Sequence, residues 1–566
     1  MGKNTKIRIA VSLGILLFLA VPNVHADVVG DQHAFSIDPS YDSQGRSQIT
    51  ATLRLISQRG YFYVGDDYWS ELNPASREQL RNLMDTLGQE FDSRVYPTET
   101  AFFGSEPNPG IDGDPRITFV LTALRYNVGG YFDSSHEYSK SQIAQSNERE
   151  MFFLNTSQFT DANRLFSFIA HEFQHMISFN QKEKLRDVSD DIWLNELRSE
   201  YAITLIGYST PYETSNLGRR VGSFLQQPSD SLTEWKNLIG DYGQIALLGE
   251  YIVEHWSPRV IANTLATSAI SIPSINDALA KEGFHESFRD IFEGWMIANA
   301  LNDPALGSKY VYTNPNLANI RVSPTQTISD VSDAAVISIT ANMKDWEQRW
   351  YDIRGFLPGN NPVLKITFTS PTNFPMRVPY VVFNQDGTSS VHLTTSATQE
   401  IDIPNVGNTV SRVLVMPYLS NKVQDFLADE PSVNVLIRFE RVAASAVLHE
   451  GDFIRATGDK DIYIINENGY KRIVLSPKIC LQYGHLGARG CFDAVHEVTM
   501  TVRDSYTTSP YYTNGETEDG EVYRLDETGE DTARLVDLHT KLYQFQVGVF
   551  DARSVFRINN LEQHSY

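Results

Sequence analysis

The stretch FIAHEFQHMISFN, from Phe168 to Asn180, holds two histidines four residues apart with a glutamate beside the first. On a helix, positions i and i+4 stack on one face about 6 Å apart, and i+1 lies at the edge of that face. His171 and His175 can therefore reach one metal ion while Glu172 stands beside a metal-bound water. That is the chemistry of hydrolysis by activated water. The competing reading is an amphipathic helix with two polar residues on its wet side.

Catalytic zinc takes three protein ligands and keeps a fourth position for water, so two histidines are incomplete. Glu196, in WLNELRSE, follows His175 after 20 intervening residues. That gap lets one helix end, turn back and deliver a carboxylate from a second. Glu200 stands four positions further along the same face, where it can accept the ring N–H of a ligand histidine and fix its tautomer. A third histidine in the pattern HExxHxxGxxH would need glycine at 178 and histidine at 181, where this chain has Ser178 and Gln181. The cysteines lie roughly 300 residues away.

The elements that must position these groups are readable from periodicity. Ala51 to Ile56 and Tyr61 to Val64 read as strands around a turn at Arg59-Gly60, and Leu80, Leu83, Met84, Leu87 and Phe91 repeat at helical spacing. ITFVLTA (Ile117 to Ala123) and MFFLN (Met151 to Asn155) are short buried strands. Leu165, Phe166, Ile169, Phe173, Met176 and Ile177 set one helix; DIWLNELRSEYAITLI, YGQIALLGEYIVEHW and HESFRDIFEGWMIANAL set others. Asp112 and Asp114 offer oxygens to calcium, but PNPGIDGDPR matches no complete calcium motif and reads as a turn.

Composition changes after Pro304, where short period-two strands such as VLKITFT and SVNVLIRFE describe an all-β sandwich. The tail carries a two-copy repeat at a constant offset of 60: DIYIINENGYKR over EVYRLDETGEDT, each a hairpin with Gly469 or Gly529 in its turn. The expected fold class is multidomain α+β. Residues 1–26 are a signal peptide, 27–50 a leader or pro-segment, 51–305 a peptidase domain with a mixed sheet then helices, 310–445 the sandwich and 449–566 a β-rich two-repeat module.

The signal rests on Lys3, Lys6 and Arg8, the apolar run Ile9 to Val21 and the small-x-small Val24-His25-Ala26. No later segment is long and apolar enough to span a bilayer. A secreted or cell-surface location follows, with no membrane span after cleavage. A formal charge of −23, from 70 Asp and Glu against 47 Lys and Arg, repels nucleic acid. In an exported chain Cys480 and Cys491 are expected to pair as a disulfide, against a zinc knuckle with His485 and His496 whose spacing fits no familiar pattern.

HEFQHMISF followed by WLNELRSEYA resembles the glutamate-ligand zinc peptidases, and is most similar to the hyicolysin family of secreted bacterial neutral metallopeptidases. GGYF (Gly129 to Phe132) and SNEREMFFLN (Ser146 to Asn155) share in the resemblance, which covers about residues 105 to 260. It implies a zincin-like fold, His171, His175 and Glu196 as ligands of one catalytic zinc, and Glu172 as general base. Where many relatives have glycine after the ligand glutamate, this chain has Leu197. Tyr242, opening a helix in GDYGQIALLGEY, is by loose analogy the oxyanion donor; its competing role is packing. Protein or peptide substrates would enter as an added strand on MFFLN or the VGGYF segment. The expected function is a secreted zinc endopeptidase. Two alternatives stand: a surface binding or adhesion protein with an inactive zincin domain, its C-terminal β modules contacting the cell envelope, and a non-peptidase zinc hydrolase.

Overall fold

Three strands that read as unbroken apolar runs lie at the middle of one six-stranded sheet. A computed structural model describes residues 26–566 except 160–161, 330, 332–335, 360–361, 371–375, 394–398, 427–429, 444–447, 457, 499, 518–519, 530 and 546–550. The signal-peptide residues 1–25 lie outside the described residues. The sheet runs β1 (Gln32–Ser36), β2 (Gln48–Ile56), β3 (Gly60–Gly65), β4 (Ile117–Thr122), β5 (Gly130–Phe132) and β6 (Met151–Asn155), in the spatial order β1-β2-β3-β4-β6-β5. β3, β4 and β6 are parallel and buried along their whole length. Both faces are covered, which is why they show no polar alternation. One face packs Phe62, Phe119, Phe152 and Leu154 against the helices; the other packs Tyr61, Tyr63, Val120 and Phe153 against Phe35 and Ile37.

Residues 27–50, read from the sequence as a leader or pro-segment, supply β1, antiparallel to β2, and the apolar cover of that second face. MFFLN is an interior strand, between β4 and β5. β5 is the sheet edge, antiparallel to β6.

The helices follow. The motif helix spans Ala162–Phe179 and buries Leu165, Ile169, Phe173, Met176 and Ile177. A second helix, Ile192–Ile206, stops at Gly207, whose left-handed φ of 96° caps it. Asn216–Gln226 and Ile239–His255 complete the bundle around the site.

Beyond it, two sheets enclose one apolar core. The four-stranded sheet contains Val336–Met343, Pro362–Thr369, Glu400–Pro404 and Val433–Ala443; the five-stranded sheet contains Gln326–Ser329, Tyr351–Arg354, Tyr380–Asn384, Ser389–His392 and Val410–Val415. Trp350 Nε1 donates to the carbonyl of Met296 at 3.0 Å, Tyr418 donates to Glu293 Oε1 at 2.7 Å, and the N–H of Phe426 donates to Asp191 Oδ1 at 3.1 Å. These strands are therefore packed on the helical part, and Phe426 touches the residue that opens the second helix.

The tail repeat extends past the hairpins. Phe453–Ala456, Ile462–Ile465, Tyr470–Ile473, Val495–Val498 and the short Thr507–Thr508 form a five-stranded sheet in which Phe453–Ala456 is antiparallel to Ile462–Ile465 and parallel to Val495–Val498. Tyr511–Asn514, Glu521–Gly529, Thr532–Lys541 and Phe556–Ile558 repeat that arrangement. Cys480 and Cys491 are joined by a disulfide, with Cα atoms 4.9 Å apart.

Candidate metal centre

His171 and His175 are one turn apart on the motif helix, and their Nε2 atoms lie 3.1 Å from each other. Glu196 comes from the second helix: Oε2 is 3.1 Å from His171 Nε2 and Oε1 is 3.7 Å from His175 Nε2. Among the described residues these three side chains are the one group of three or more His, Cys, Asp or Glu whose ligand atoms all lie within 4.8 Å of one another. Glu196 Oε2 is buried, with the His171 ring nitrogen as its polar neighbour. Two imidazole nitrogens and a carboxylate oxygen converge on one point, which a ring proton or a metal cation can fill, and this nitrogen and oxygen set suits zinc.

The outer partners fix the rings. Ser199 Oγ lies 3.1 Å from His175 Nδ1 and donates its own proton to Gln174 Oε1 at 2.7 Å. The ring must then donate from Nδ1, which leaves the Nε2 lone pair free toward Glu196. Gln174 is oriented in turn by Ser178, which it reaches at 2.9 Å, and Ser178 also accepts from Arg198 Nε. On the other ring, Glu200 Oε1 lies 3.6 Å from His171 Nδ1. Glu200 is held by Arg220, whose Nε donates at 2.9 Å, and by Asn216 Nδ2 at 2.6 Å.

Electrostatics separates the two rings. Burial opposes charge on His171, but the adjoining Glu196, with Glu172 and Glu200, raises its pKa to about 9. Burial drives His175 down to about 4 against the pull of Glu196. Burial also lifts Glu172 to about 7, opposed by the charge of His171. For Glu196 and Glu200 burial is again the largest influence and acts upward; the histidines around Glu196 and Arg220 beside Glu200 outweigh it, and both carboxyls sit below their ordinary range.

Glu172 points to the sheet edge, where the N–H of Phe132 in β5 donates to its Oε2 at 2.9 Å. β5 can lie this close because residue 129 is glycine: a Cβ there would fall 2.2 Å from the Phe168 ring of the motif helix. Leu197 packs against Gly249 of the opposite helix, where a Cβ would stand at ordinary contact distance from its side chain, 3.7 Å. Beside these three side chains opens a cavity of about 530 Å³, walled by Tyr41, Tyr131, Phe132, Lys182, His175 and Glu196.

Tyr242 stands in the first turn of Ile239–His255, its hydroxyl donating to Asn237 Oδ1 at 3.0 Å and its ring under the Arg220 guanidinium at 4.2 Å. Burial raises its pKa, as do the charges of Glu196, Glu200 and Glu172. Sequence reasoning missed Tyr41, Ser199, Gln174 and Arg220. Ser199 had a usable signal, three positions after Glu196 on the same helix. Tyr41 and Arg220 had none, being brought in by distant chain segments. Asp112 and Asp114 stay in their turn, the carboxylate of Asp112 accepting from the N–H of Asp114 at 2.9 Å.

No family model matches the chain. Over 165 residues it is 31% identical to the neutral metalloprotease ShpI of Staphylococcus hyicus. The chain is similar there to a metalloprotease. The match covers 26% of this chain and 34% of that protein, so the chain spans about a third of the length of the curated relative. Among solved structures, the periplasmic lysozyme inhibitor PliG of Aeromonas hydrophila is 8% identical and covers 21% of this chain and 96% of its own, at a TM-score of 0.15. The pre-peptidase C-terminal domain of a Bacillus anthracis collagenase is 6% identical, covering 21% and 98%, at 0.14. Likenesses at these scores carry no argument about fold or function.

Proposed function

We propose that the chain is a secreted zinc-dependent endopeptidase of the hyicolysin type, with His171, His175 and Glu196 as ligands and Glu172 as general base. The observation that carries the reading is the convergence of two Nε2 atoms and one carboxylate on a single point, with a second carboxyl, Glu172, beside it. The similarity to a metalloprotease supports a peptide substrate. A zinc ion held there supplies a Lewis acid for the scissile carbonyl and lowers the pKa of a bound water to about 7.

The chain's own groups do the rest. Glu172 takes the proton of the attacking water and returns it to the leaving amine, a role suited to a carboxyl whose affinity for protons is raised by burial. The Phe132 N–H keeps one of its oxygens fixed. The substrate strand adds to β5, the edge strand beside the motif helix, with its side chains reaching the cavity at Tyr41 and Tyr131. Tyr242, turned from Asn237, donates to the developing oxyanion. No helix among the described residues is long and apolar enough to cross a membrane, which is compatible with an exported protein.

The test is bound zinc together with cleavage of casein. Both are expected in the purified protein; cleavage is lost with chelator and with Glu172→Ala, while Glu172→Ala keeps the metal. Zinc retained by the unaltered protein without any cleavage overturns the reading in favour of a binding protein with an inactive centre.

A further inference from the structure

The second helix opens without the cap that its N-cap residue could supply. Asp191 holds the N-cap position of Ile192–Ile206, where an aspartate ordinarily accepts from the N–H groups of the first turn, yet its side chain makes no such bond. Its Oδ1 accepts the N–H of Phe426 instead, at 3.1 Å. Phe426 belongs to the segment 420–426, which leaves the short strand Tyr418–Leu419 of the sandwich. That segment is fixed on its own side: the N–H of Asn421 donates to Asp345 Oδ1 at 2.8 Å, and Trp346 Nε1 donates to the carbonyl of Lys422 at 2.7 Å. It touches the helical part a second time, where the N–H of Ile272 donates to the carbonyl of Val423 at 3.3 Å.

Asp190 joins these two points of contact. It precedes Asp191, and its Oδ1 accepts at 2.7 Å from the N–H of Ser271, the neighbour of Ile272. Ser271 holds a left-handed φ of 55°, a conformation uncommon outside glycine. Asp190 Oδ2 accepts from Arg198 Nη1 at 2.9 Å, in a pair whose side chains are 4% and 0% exposed. Arg198 then donates from Nε to Ser178 Oγ at 3.3 Å. From Ser178 the hydrogen bonds run through Gln174 and Ser199 to Nδ1 of His175. Arg198, Ser178, Gln174 and Ser199 are all buried. A guanidinium donates and cannot accept, and its planar fork fixes where both acceptors stand. Arg198 thereby sets Ser178 of the motif helix against Asp190 at the head of the second helix.

We propose, on the reading of His175 as a metal ligand, that the β-sandwich is an assembly element of the metal centre and acts on His175 through Asp190 and Arg198. The segment 420–426 fixes the start of the second helix, Arg198 carries that position to Ser178, and Gln174 and Ser199 orient the ring. Arg198 is a positioning residue: its hydrogen bonds go to Asp190, Thr264 and Ser178, none of them a ligand. The sandwich then works on the centre from within the chain.

The experiment measures the zinc affinity of full-length variants by competition with a calibrated chelator, with folding checked by circular dichroism. Arg198→Lys keeps a charge beside Asp190 but cannot hold Asp190 and Ser178 together; affinity is expected to fall at least about tenfold. Ser178→Ala should weaken binding likewise, and Arg198→Lys in that background should add less than about twofold, because the chain is already cut. Asp191→Ala releases Phe426, so the Phe426 amide hydrogen should exchange faster and zinc should bind about 2- to 30-fold more weakly. Asp191→Asn keeps an acceptor and should restore both. Unchanged zinc affinity in either Arg198→Lys or Asp191→Ala overturns the coupling and leaves the metal centre standing. Losses from Arg198→Lys and Ser178→Ala that add in full overturn it too, since Arg198 then acts by another route. No zinc in the unaltered protein overturns the centre itself, and the coupling with it. Should Arg198→Lys fail to fold, the two Asp191 variants decide.

Discussion

Ser199 Oγ lies 3.1 Å from Nδ1 of His175 and passes its own proton to Gln174. A hydroxyl from the second helix thereby sets the tautomer of a ring on the first, and the two helices that carry His175 and Glu196 are tied through it. Ser199→Ala removes that acceptor while leaving the helix intact. The expected result is a metal affinity weaker by about 10- to 100-fold with unchanged secondary structure, measured by competition with a calibrated zinc chelator. Unchanged affinity contradicts the role.

Glu172 accepts from the Phe132 N–H and stands beside the ligands. Glu172→Gln keeps an acceptor for that N–H but has no base. Hydrolysis is expected to fall by about 10²- to 10⁴-fold at unchanged zinc content. Activity within a few-fold of the original removes Glu172 from the base role.

Arg220 is the partner of a carboxylate with 1% side-chain exposure. Arg220→Ala leaves Glu200 buried with only Asn216 and the His171 ring beside it, and should cost about 3–5 kcal/mol of unfolding free energy. Glu200→Gln in the same background is expected to recover part of that loss. A cost under about 1 kcal/mol for Arg220→Ala shows that water reaches Glu200.

Glu250, 6% exposed in Ile239–His255, has a pKa raised to about 7, chiefly by burial, with the charge of Glu254 adding to it. The folded value lies above the ordinary 4.5, so the fold holds a proton that the unfolded chain releases. Stability is complete below about pH 4.5 and declines as pH rises through about 7. Glu250→Gln removes this titration. The free-energy difference between variant and parent should shift by about 3 kcal/mol in the variant's favour between pH 4.5 and 8, read from denaturant melts at each pH. A difference constant with pH contradicts the buried-acid account.

Local chemistry was legible where it was written in adjacent residues. The motif helix announces itself because His171 and His175 recur at i+4 and its apolar face at 3.6 residues, and the second helix because Glu196 and Glu200 repeat the i+4 spacing. The central strands announce themselves because burial on both faces removes polar residues. The offset of 60 in the tail foreshadowed two sheets of matching pairing. What stayed hidden depends on chain closure in three dimensions. The segment 27–50 has little strand signal of its own, and only pairing with β2 makes Gln32–Ser36 a strand and brings Tyr41 to the cavity. Arg220 reads as one more surface cation until the fold sets it against Glu200.

The central claim is one ion held by three side chains from two helices, and metal content tests it most directly. The mature protein should carry one zinc per chain by elemental analysis, while His175→Ala and Glu196→Ala, both folded by circular dichroism, should each carry less than a tenth as much. Full zinc in either folded variant, or none in the unaltered protein after purification without chelator, would contradict the account.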